Sequence, residues 1–226
     1  PPMDAGMRRL KNGNSVVERD IDHRSPVASR ICDGKEGRTF YRPKSFAPID
    51  CRNVLVEGVT FERSVLWNIN PIYCENVIIR GVTVNSEKVP SGDGIDISSC
   101  RNVLIEYSTL NCGDDCFTLK SGRAEDGIRV GRPTENVVIR YCLAKKGHGG
   151  ITCGSETAAG IKNVYLHHCV FDGTRTGFRF KTRRNRGGGI WDITYTCRRT
   201  QWQTSRYAGL FYNSGLKLYQ RPIFSS

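Results

Sequence analysis

Six charged side chains lie in four short segments, three of them rich in glycine, and their types suit acid–base chemistry on an anionic ligand. In chain order they are Asp93, Asp114, Asp115, His148, Arg179 and Lys181. Carboxylates held close together repel one another, so we expect at least one pKa to be raised and that group to stay protonated near neutral pH. An acid beside a base is what hydrolysis of a glycosidic bond requires. Arg179 and Lys181 could hold a ligand carboxylate, Arg by a bidentate fork and Lys as a point charge.

These residues span 88 positions, so their chemistry depends on a fold that brings distant segments together. A motif that reads CRNVLVEGVTF from Cys51 recurs, with variations, from Cys74, Cys100, Thr134 and Ile161. Its asparagines are Asn53, Asn76, Asn102, Asn136 and Asn163, separated by 23, 26, 34 and 27 residues. A fixed motif with variable spacing indicates stacked coils joined by loops of different lengths.

A second segment, in which apolar and polar residues alternate strictly, lies between the copies of the motif. It reads GIDIS from Gly94, CFTLK from Cys116, GITCG from Gly150 and GFRFK from Gly177. At least two short strands per repeat, which must pair in parallel from coil to coil, predict an all-β fold. The specific prediction is a right-handed, single-stranded parallel β-helix of about six coils, with a rise of about 4.8 Å per coil. The asparagines are predicted to form an amide ladder between coils.

Alignment of the second strands predicts one exterior strip that carries the charged residues. The inward pairs Ile95/Ile97, Phe117/Leu119, Ile151/Cys153 and Phe178/Phe180 set the register. Stacking in this register brings the six charged residues within about three coil rises, roughly 15 Å. Lys120 shares the outward column of Lys181, so it is predicted to bind substrate as well.

The ten cysteines are interpreted mostly as buried free thiols. Cys51, Cys74 and Cys100 share one repeat position, and Cys142 and Cys169 share another that otherwise takes small apolar residues. Free cysteine behaves as a small hydrophobic residue. Their spacing does not match a zinc site, and we predict no metal site.

The four segments that carry the six charged side chains, in this order, resemble the signatures of the polygalacturonases, the family 28 glycoside hydrolases. They are Gly92-Asp93-Gly94, Gly113-Asp114-Asp115-Cys116, Gly147-His148-Gly149-Gly150 and Arg179-Phe180-Lys181, and the resemblance runs from about Phe40 to Gly189. The resemblance implies a parallel β-helix that hydrolyses α-1,4-galacturonosidic bonds of polygalacturonate and pectin, with inversion and without a cofactor. It implies that Asp114 is the general acid, that Asp93 and Asp115 activate water, and that His148 supports the acid. It also implies that Arg179 and Lys181 bind the galacturonate carboxylate.

Two features depart from the family pattern. The first signature usually contains an Asn where this sequence has Ser91-Gly92, which removes one expected hydrogen bond to substrate. The predicted coil spacing of about 5 Å is also shorter than the roughly 6.5–9.5 Å between the carboxyl groups of inverting enzymes. Spacing alone would therefore favour retention, whereas the resemblance implies inversion.

Charge and composition narrow the classes of partner. The formal net charge is +12, and residues 173–226 hold 11 basic residues and one acidic residue. Residues 51–172, the predicted core, hold 13 basic and 14 acidic residues. This core lacks the basic face of a nucleic-acid-binding protein, so we predict no nucleic-acid partner. The absence of a run of about 18 apolar residues predicts no membrane-spanning helix. We expect a monomer acting on polygalacturonate in an extracytoplasmic location, secreted or periplasmic, although this chain shows no signal peptide.

Three segments are predicted. Residues 1–39 are a partial lead-in, residues 40–195 are the catalytic β-helix, and residues 196–226 are a basic tail without the repeat. We expect this tail to be a non-native continuation that packs poorly, and the chain to be truncated relative to longer family members. Two alternatives remain open from the sequence: an inactive or non-catalytic β-helix fragment that binds carbohydrate, and a calcium-dependent enzyme resembling the pectate lyases.

Overall fold

The computed structural model describes residues 43–183 and 186–199, with side chains to Thr196, and these residues form a parallel β-solenoid. The strands are β1 (Arg52–Glu57), β2 (Thr60–Glu62), β3 (Glu75–Arg80), β4 (Thr83–Ser86), β5 (Ile95–Ser98), β6 (Arg101–Glu106), β7 (Thr109–Cys112), β8 (Phe117–Lys120), β9 (Thr134–Arg140), β10 (Leu143–Gly154), β11 (Ile161–Phe171), β12 (Thr174–Lys181) and β13 (Ile190–Arg199). One short helix, α1 (Ala124–Val130), lies between β8 and β9. The predicted all-β parallel β-helix is confirmed.

Each coil contributes to three stacked sheets. The first contains β1, β3, β6, β9, β11 and β13, which span about five full turns. Five of these strands carry the Asn-Val motif, and β13 has Asp192-Ile193 at the same position. The second contains β2, β4 and β7, continued by the start of β10 and the end of β11. The third contains β5, β8, the end of β10 and β12. The sequence predicted at least two strands per coil, and the third arises because the Asn-Val segment bends.

The bend lies at one residue with a left-handed backbone in each of the first five coils. These residues are Gly58, Gly81, Tyr107, Tyr141 and His168, with φ between 51° and 66°. In the first four coils this conformation separates the strand of the first sheet from that of the second. Because tyrosine and histidine occupy the position as well as glycine, the corner is only weakly indicated by residue type.

The core is a column of aliphatic residues inside the coils. Val56, Ile79, Ile105, Ile139 and Leu166 occupy equivalent positions, and each is at most 6% exposed. All eight cysteines whose side chains the structure describes are free thiols, and seven of them are buried, as predicted. Burial raises the pKa of the Cys100 and Cys153 thiols to about 12, so these two side chains are unreactive packing groups.

The predicted asparagine ladder is confirmed. Each side-chain amide donates to the amide oxygen of the asparagine one coil earlier, at 3.0 Å for Asn76 to Asn53, 3.1 Å for Asn102 to Asn76, 3.0 Å for Asn136 to Asn102 and 2.7 Å for Asn163 to Asn136. All five asparagines also have a left-handed backbone, with φ between 52° and 57°. Asparagine tolerates this conformation better than most residues, so two independent requirements select it.

Asn102→Ala should lower the free energy of unfolding by about 2 kcal/mol, since it removes two ladder hydrogen bonds and places a Cβ in the left-handed region. Asn102→Gly relieves the backbone strain and loses only the side-chain amide, so it should lower the free energy of unfolding by less than Asn102→Ala does. Urea unfolding of both variants measures the difference. Equal destabilisation by Ala and Gly would show that backbone conformation is not part of the reason for asparagine.

The last strand extends past the predicted end of the solenoid. β13 runs to Arg199, whereas the repeat was predicted to end near Tyr195, and it pairs with β11 along its length. The predicted lead-in, residues 1–39, and residues 200–226 of the predicted tail lie outside the described residues. Within the described ranges, no helix has the length and hydropathy needed to cross a membrane.

Candidate active site

The third sheet aligns the segments that carry the charged residues. Ile95, Phe117, Ile151 and Phe178 are paired across β5, β8, β10 and β12, which confirms the predicted register. The preceding turns are also joined by main-chain hydrogen bonds, from Gly94 N to the Asp115 carbonyl at 3.0 Å and from Cys116 N to the Gly149 carbonyl at 2.8 Å. Side chains from consecutive coils therefore stack at the entrance to this sheet.

Three carboxylates meet there. Asp93, Asp114 and Asp115 each place one oxygen so that all three atoms lie within 4.8 Å of one another. Asp93 is 5% exposed and Asp115 is 1% exposed. The Asp114 side chain is 24% exposed. The structure thus brings together the three predicted carboxylates and gives Asp114 the greatest access to solvent.

The imidazole and the two cations contact different carboxylates. His148 Nδ1 lies 3.1 Å from Asp114 Oδ1. Arg179 Nη1 lies 3.4 Å from Asp115 Oδ1, and Lys181 Nζ lies 3.8 Å from Asp115 Oδ2. Asp114 and Asp115 are adjacent in sequence, yet one faces a histidine at the surface and the other is buried beside two positive charges. Such a difference in environment can give two carboxylates different chemical roles.

The expected upward pKa shift falls on Asp93. Burial is the main cause, and the nearby carboxyl groups of Asp96, Asp114 and Asp115 also raise the pKa of Asp93 well above its usual value, although the Lys120 ammonium opposes them. The site therefore holds one carboxyl group that retains its proton at a higher pH than an exposed aspartate does.

Lys120 lies beside this group of residues, but it is buried. Its side chain is only 8% exposed, and its ammonium lies 3.0 Å from Glu156 Oε2 and 3.7 Å from Asp96 Oδ1. It also donates to the Gly154 carbonyl at 3.3 Å. An outward position on the strand does not amount to exposure here, because loop residues cover it.

Asp96 and Glu156 were not among the predicted site residues. Asp96 is fully buried, accepts a hydrogen bond from Thr118, and has its pKa raised by burial to about 7 despite the nearby Lys120. Its outward place in GIDIS was visible in the sequence, whereas Glu156 lies in a loop whose path the repeat does not predict.

The Lys120–Glu156 pair predicts a loss of stability in acid. Burial alone would raise the pKa of Glu156, but the charge and hydrogen bond of Lys120 outweigh burial and lower it to about 2. Because the folded pKa is depressed, this contribution is present above the usual glutamate pKa of about 4.3 and is lost as the pH falls towards 2. Urea unfolding between pH 6 and pH 2.5 should show this loss.

Glu156→Gln should be less stable than the parent at pH 6 and should lose less stability on acidification. Glu62→Gln, at an exposed position of β2, is the matched control and should follow the parent. An unchanged acid dependence in Glu156→Gln would contradict the assignment.

Gly149 permits the close approach of two site residues. A Cβ at this position would lie 2.3 Å from Thr152 Oγ1 and 2.9 Å from Asp115 Oδ1. Both neighbouring residues are buried, so they have little room to move. The glycine in the third signature is therefore required by the position of the Asp115 carboxylate.

A separate cleft of about 380 Å³ lies at the bend between the third sheet and the first. It is lined by charged residues that pair with one another. Glu75 contacts Arg52 and Arg101, and Arg132 contacts Asp50. This cleft does not include the three carboxylates, and we place the candidate active site on the carboxylates.

The same three carboxylates are the described residues that could hold a cation, since each offers one oxygen. Hard cations such as Ca²⁺ prefer oxygen ligands. However, Arg179 and Lys181 already offset the negative charge of Asp115. The absence of a metal requirement stays a prediction.

Comparison with known proteins identifies a family. The sequence profile described as Glycosyl hydrolases family 28 matches residues 29–200. A probable polygalacturonase of Vitis vinifera is 33% identical over 147 residues, which cover 65% of this chain and 26% of that protein. An exo-poly-alpha-D-galacturonosidase of Dickeya chrysanthemi is 26% identical over 190 residues, 82% of this chain and 31% of that protein.

A solved structure agrees with both the fold and the family. The hyperthermoactive exopolygalacturonase from Thermotoga maritima superposes with a TM-score of 0.73 and 39% sequence identity, covering 78% of this chain and 40% of that chain. The chain thus spans 26% and 31% of the two curated relatives and 40% of this structural neighbour.

Proposed function

Because the chain belongs to glycosyl hydrolase family 28, we propose that it hydrolyses α-1,4-galacturonosidic bonds in polygalacturonate and pectin by acid–base catalysis with inversion. The observation that carries this proposal is the meeting of three carboxylates within 4.8 Å, with His148 on Asp114 and two cations on Asp115. The polygalacturonases among the relatives support this choice of substrate.

Asp114 is the proposed general acid. Its partly exposed carboxyl group can reach the glycosidic oxygen of a bound polymer, to which it gives its proton as the C1–O bond breaks. His148, 3.1 Å away, orients this carboxyl group through a hydrogen bond. Proton donation to the leaving oxygen is the step that most needs a positioned acid, since an alkoxide leaves poorly.

Asp93 and Asp115 are the proposed groups that activate water. The oxygen of the water forms the new bond to C1, and one of these carboxylates takes the water's proton. Arg179 and Lys181 lie 3.4 Å and 3.8 Å from the Asp115 carboxyl oxygens and can offset its negative charge. Asp93 can act as a base only when ionised, so its raised pKa would place the acid limb of the pH–rate profile above that of an ordinary aspartate.

Arg179 and Lys181 are the proposed ligands of the galacturonate carboxylate. Both lie on β12 with partly exposed side chains, and each retains hydrogen-bonding capacity beyond its contact with Asp115. Lys120 was predicted to bind substrate directly. Since its ammonium is held by Glu156 and Gly154, we propose that it contributes positive charge to the site and makes no direct contact.

The direct test is release of reducing ends from polygalacturonate by the full chain, with and without a chelator. The proposal expects release that a chelator does not affect, no unsaturated product absorbing in the ultraviolet, and inversion of the anomer in a proton NMR time course. Chelator-sensitive formation of an unsaturated product would indicate a lyase resembling the pectate lyases. Binding without turnover would indicate a non-catalytic carbohydrate-binding fragment. Retention of the anomeric configuration would overturn the proposed inversion. The short separation of the carboxylates, taken alone, favours a retaining mechanism.

The proposed substrate also bears on where the protein acts. Pectin is an extracellular polymer of plant cell walls, so we propose a secreted or periplasmic protein that acts as a monomer. We propose no nucleic-acid partner, because residues 51–172 hold 13 basic and 14 acidic residues and so lack the basic face of a nucleic-acid-binding protein.

A further inference from the structure

The strip of site residues extends one coil beyond the segments predicted from the sequence. Trp67 stands two residues before Ile69, and Ile69 bridges to Ile95 in parallel, just as Asp93 stands two residues before Ile95. The coils are joined here, since Asn68 N donates to the Asp93 carbonyl at 3.0 Å. Trp67 therefore occupies the column of Asp93 and Asp115, on the coil that precedes Asp93.

Two lysines accompany this tryptophan. Lys44 Nζ lies 4.8 Å from the centroid of the Trp67 ring, and Lys120 Nζ lies 4.7 Å from it. Lys44 and Trp67 are both only partly buried, and the Lys44 ammonium donates to the Asn70 amide oxygen. This end of the strip thus holds a partly buried aromatic ring beside a partly buried lysine.

The charges around Trp67 do not cancel in mildly acidic solution. Lys44 and Lys120 are the two ammonium groups, and Glu156 is an ionised carboxylate because its pKa is lowered to about 2. Asp96 has a pKa raised to about 7, so it is largely protonated below that pH. These four groups, two ammonium groups, one carboxylate and one largely protonated carboxyl group, carry a net positive charge that an anion would neutralise.

We propose that Lys44 and Trp67 form a further subsite, which takes a galacturonate unit on the side of the scissile bond opposite to the unit held by Arg179 and Lys181. This inference rests on the proposed function. Trp67 lies one coil before Asp93, whereas Arg179 lies two coils after Asp115. With a rise of about 4.8 Å per coil, the two cationic ends flank the three carboxylates.

The chemistry of the ligand matches both ends. Every unit of polygalacturonate carries a carboxylate, so a polymer that crosses the site presents a negative charge on each side of the bond that is cut. At the Trp67 end the carboxylate accepts from the Lys44 ammonium, and the apolar face of the sugar ring contacts the indole. A charge-assisted hydrogen bond of this kind contributes about 1.5–3 kcal/mol, or roughly 10- to 150-fold in affinity.

Binding of tetragalacturonate at pH 5.5, measured by calorimetry on the full chain carrying Asp114→Asn to prevent turnover, tests the subsite. Adding Lys44→Met should weaken binding at least tenfold. Lys44→Arg should retain most of the affinity, since it keeps the charge. Lys145→Met, at an exposed position of β10, is the matched control and should bind as the parent does. The fully methyl-esterified tetramer, which lacks the carboxylates, should bind the Lys44→Met chain and its parent equally.

The outcomes separate this inference from the proposed function. Lys44-dependent binding without hydrolysis by the unmodified chain would keep the subsite and overturn the catalytic proposal. Hydrolysis together with undiminished binding by a folded Lys44→Met chain would overturn the subsite alone. If Lys44→Met does not fold, the affinity of Lys44→Arg is compared with that of Lys145→Met. A tenfold lower affinity of Lys44→Arg would contradict recognition by charge. Failure of the Asp114→Asn parent to bind tetragalacturonate would also overturn the subsite.

Discussion

Asp114→Asn should lower the rate of reducing-end release from polygalacturonate by about 10³-fold, within the range expected for loss of a general acid. The amide preserves the size of the side chain and can still contact His148, but it cannot donate a proton to the glycosidic oxygen. Because Asp114 is partly exposed, the fold should tolerate the change. Initial rates at the pH optimum of the parent measure the effect.

Asp172→Asn is the control for this experiment, since Asp172 is an exposed residue between β11 and β12. It should leave the rate unchanged, and both variants should unfold at the temperature of the parent. Retention of more than a tenth of the activity by a folded Asp114→Asn chain would contradict the assignment of the acid.

Arg179→Ala should lower kcat/KM for polygalacturonate by about 100-fold, because it removes a charge-assisted hydrogen bond to the substrate carboxylate. The substitution also removes a positive charge that lies 3.4 Å from Asp115. Kinetics on polygalacturonate and on highly methyl-esterified pectin separate these two roles. Loss of carboxylate recognition should reduce the preference for the unesterified polymer, whereas a changed Asp115 should lower kcat on both.

Arg175→Ala provides the matched control, because Arg175 is an exposed arginine on the same strand. It should leave kcat/KM for both polymers unchanged. Arg179→Lys should recover only part of the activity, since an ammonium cannot form the bidentate contact of a guanidinium. An equal loss on both polymers would contradict a role for Arg179 in recognising the carboxylate.

The register of the third sheet could be predicted because short alternating segments repeat at positions that the Asn-Val motif fixes. Once Ile95 and Phe117 are aligned, Asp93 and Asp115 must fall on adjacent coils, and the structure places them there. The asparagine ladder could be predicted for the same reason. Both depend on residues that recur, and recurrence is visible in a single sequence.

Features without a repeat could not be predicted in this way. Lys120 occupies an outward column, and its burial depends on Trp67 and Glu156, which belong to connections of irregular length. The seven residues of α1 are fewer than an amphipathic pattern needs to be distinguished from a loop. The positions of Lys44 and Trp67 could not be predicted from the alternating segments, because the first of these begins at Gly94 and Trp67 lies one coil earlier.

The asparagine ladder also makes the coils separable units of change. Each amide bonds only to its counterparts in the neighbouring coils, so the stack does not depend on how many residues connect them. The 34-residue interval between Asn102 and Asn136 accommodates α1 without interrupting the ladder. Insertions between coils can therefore reshape the walls around the carboxylates while Asp93, Asp114 and Asp115 keep their mutual positions. In this architecture, substrate preference can evolve by loop exchange on an unchanged catalytic frame.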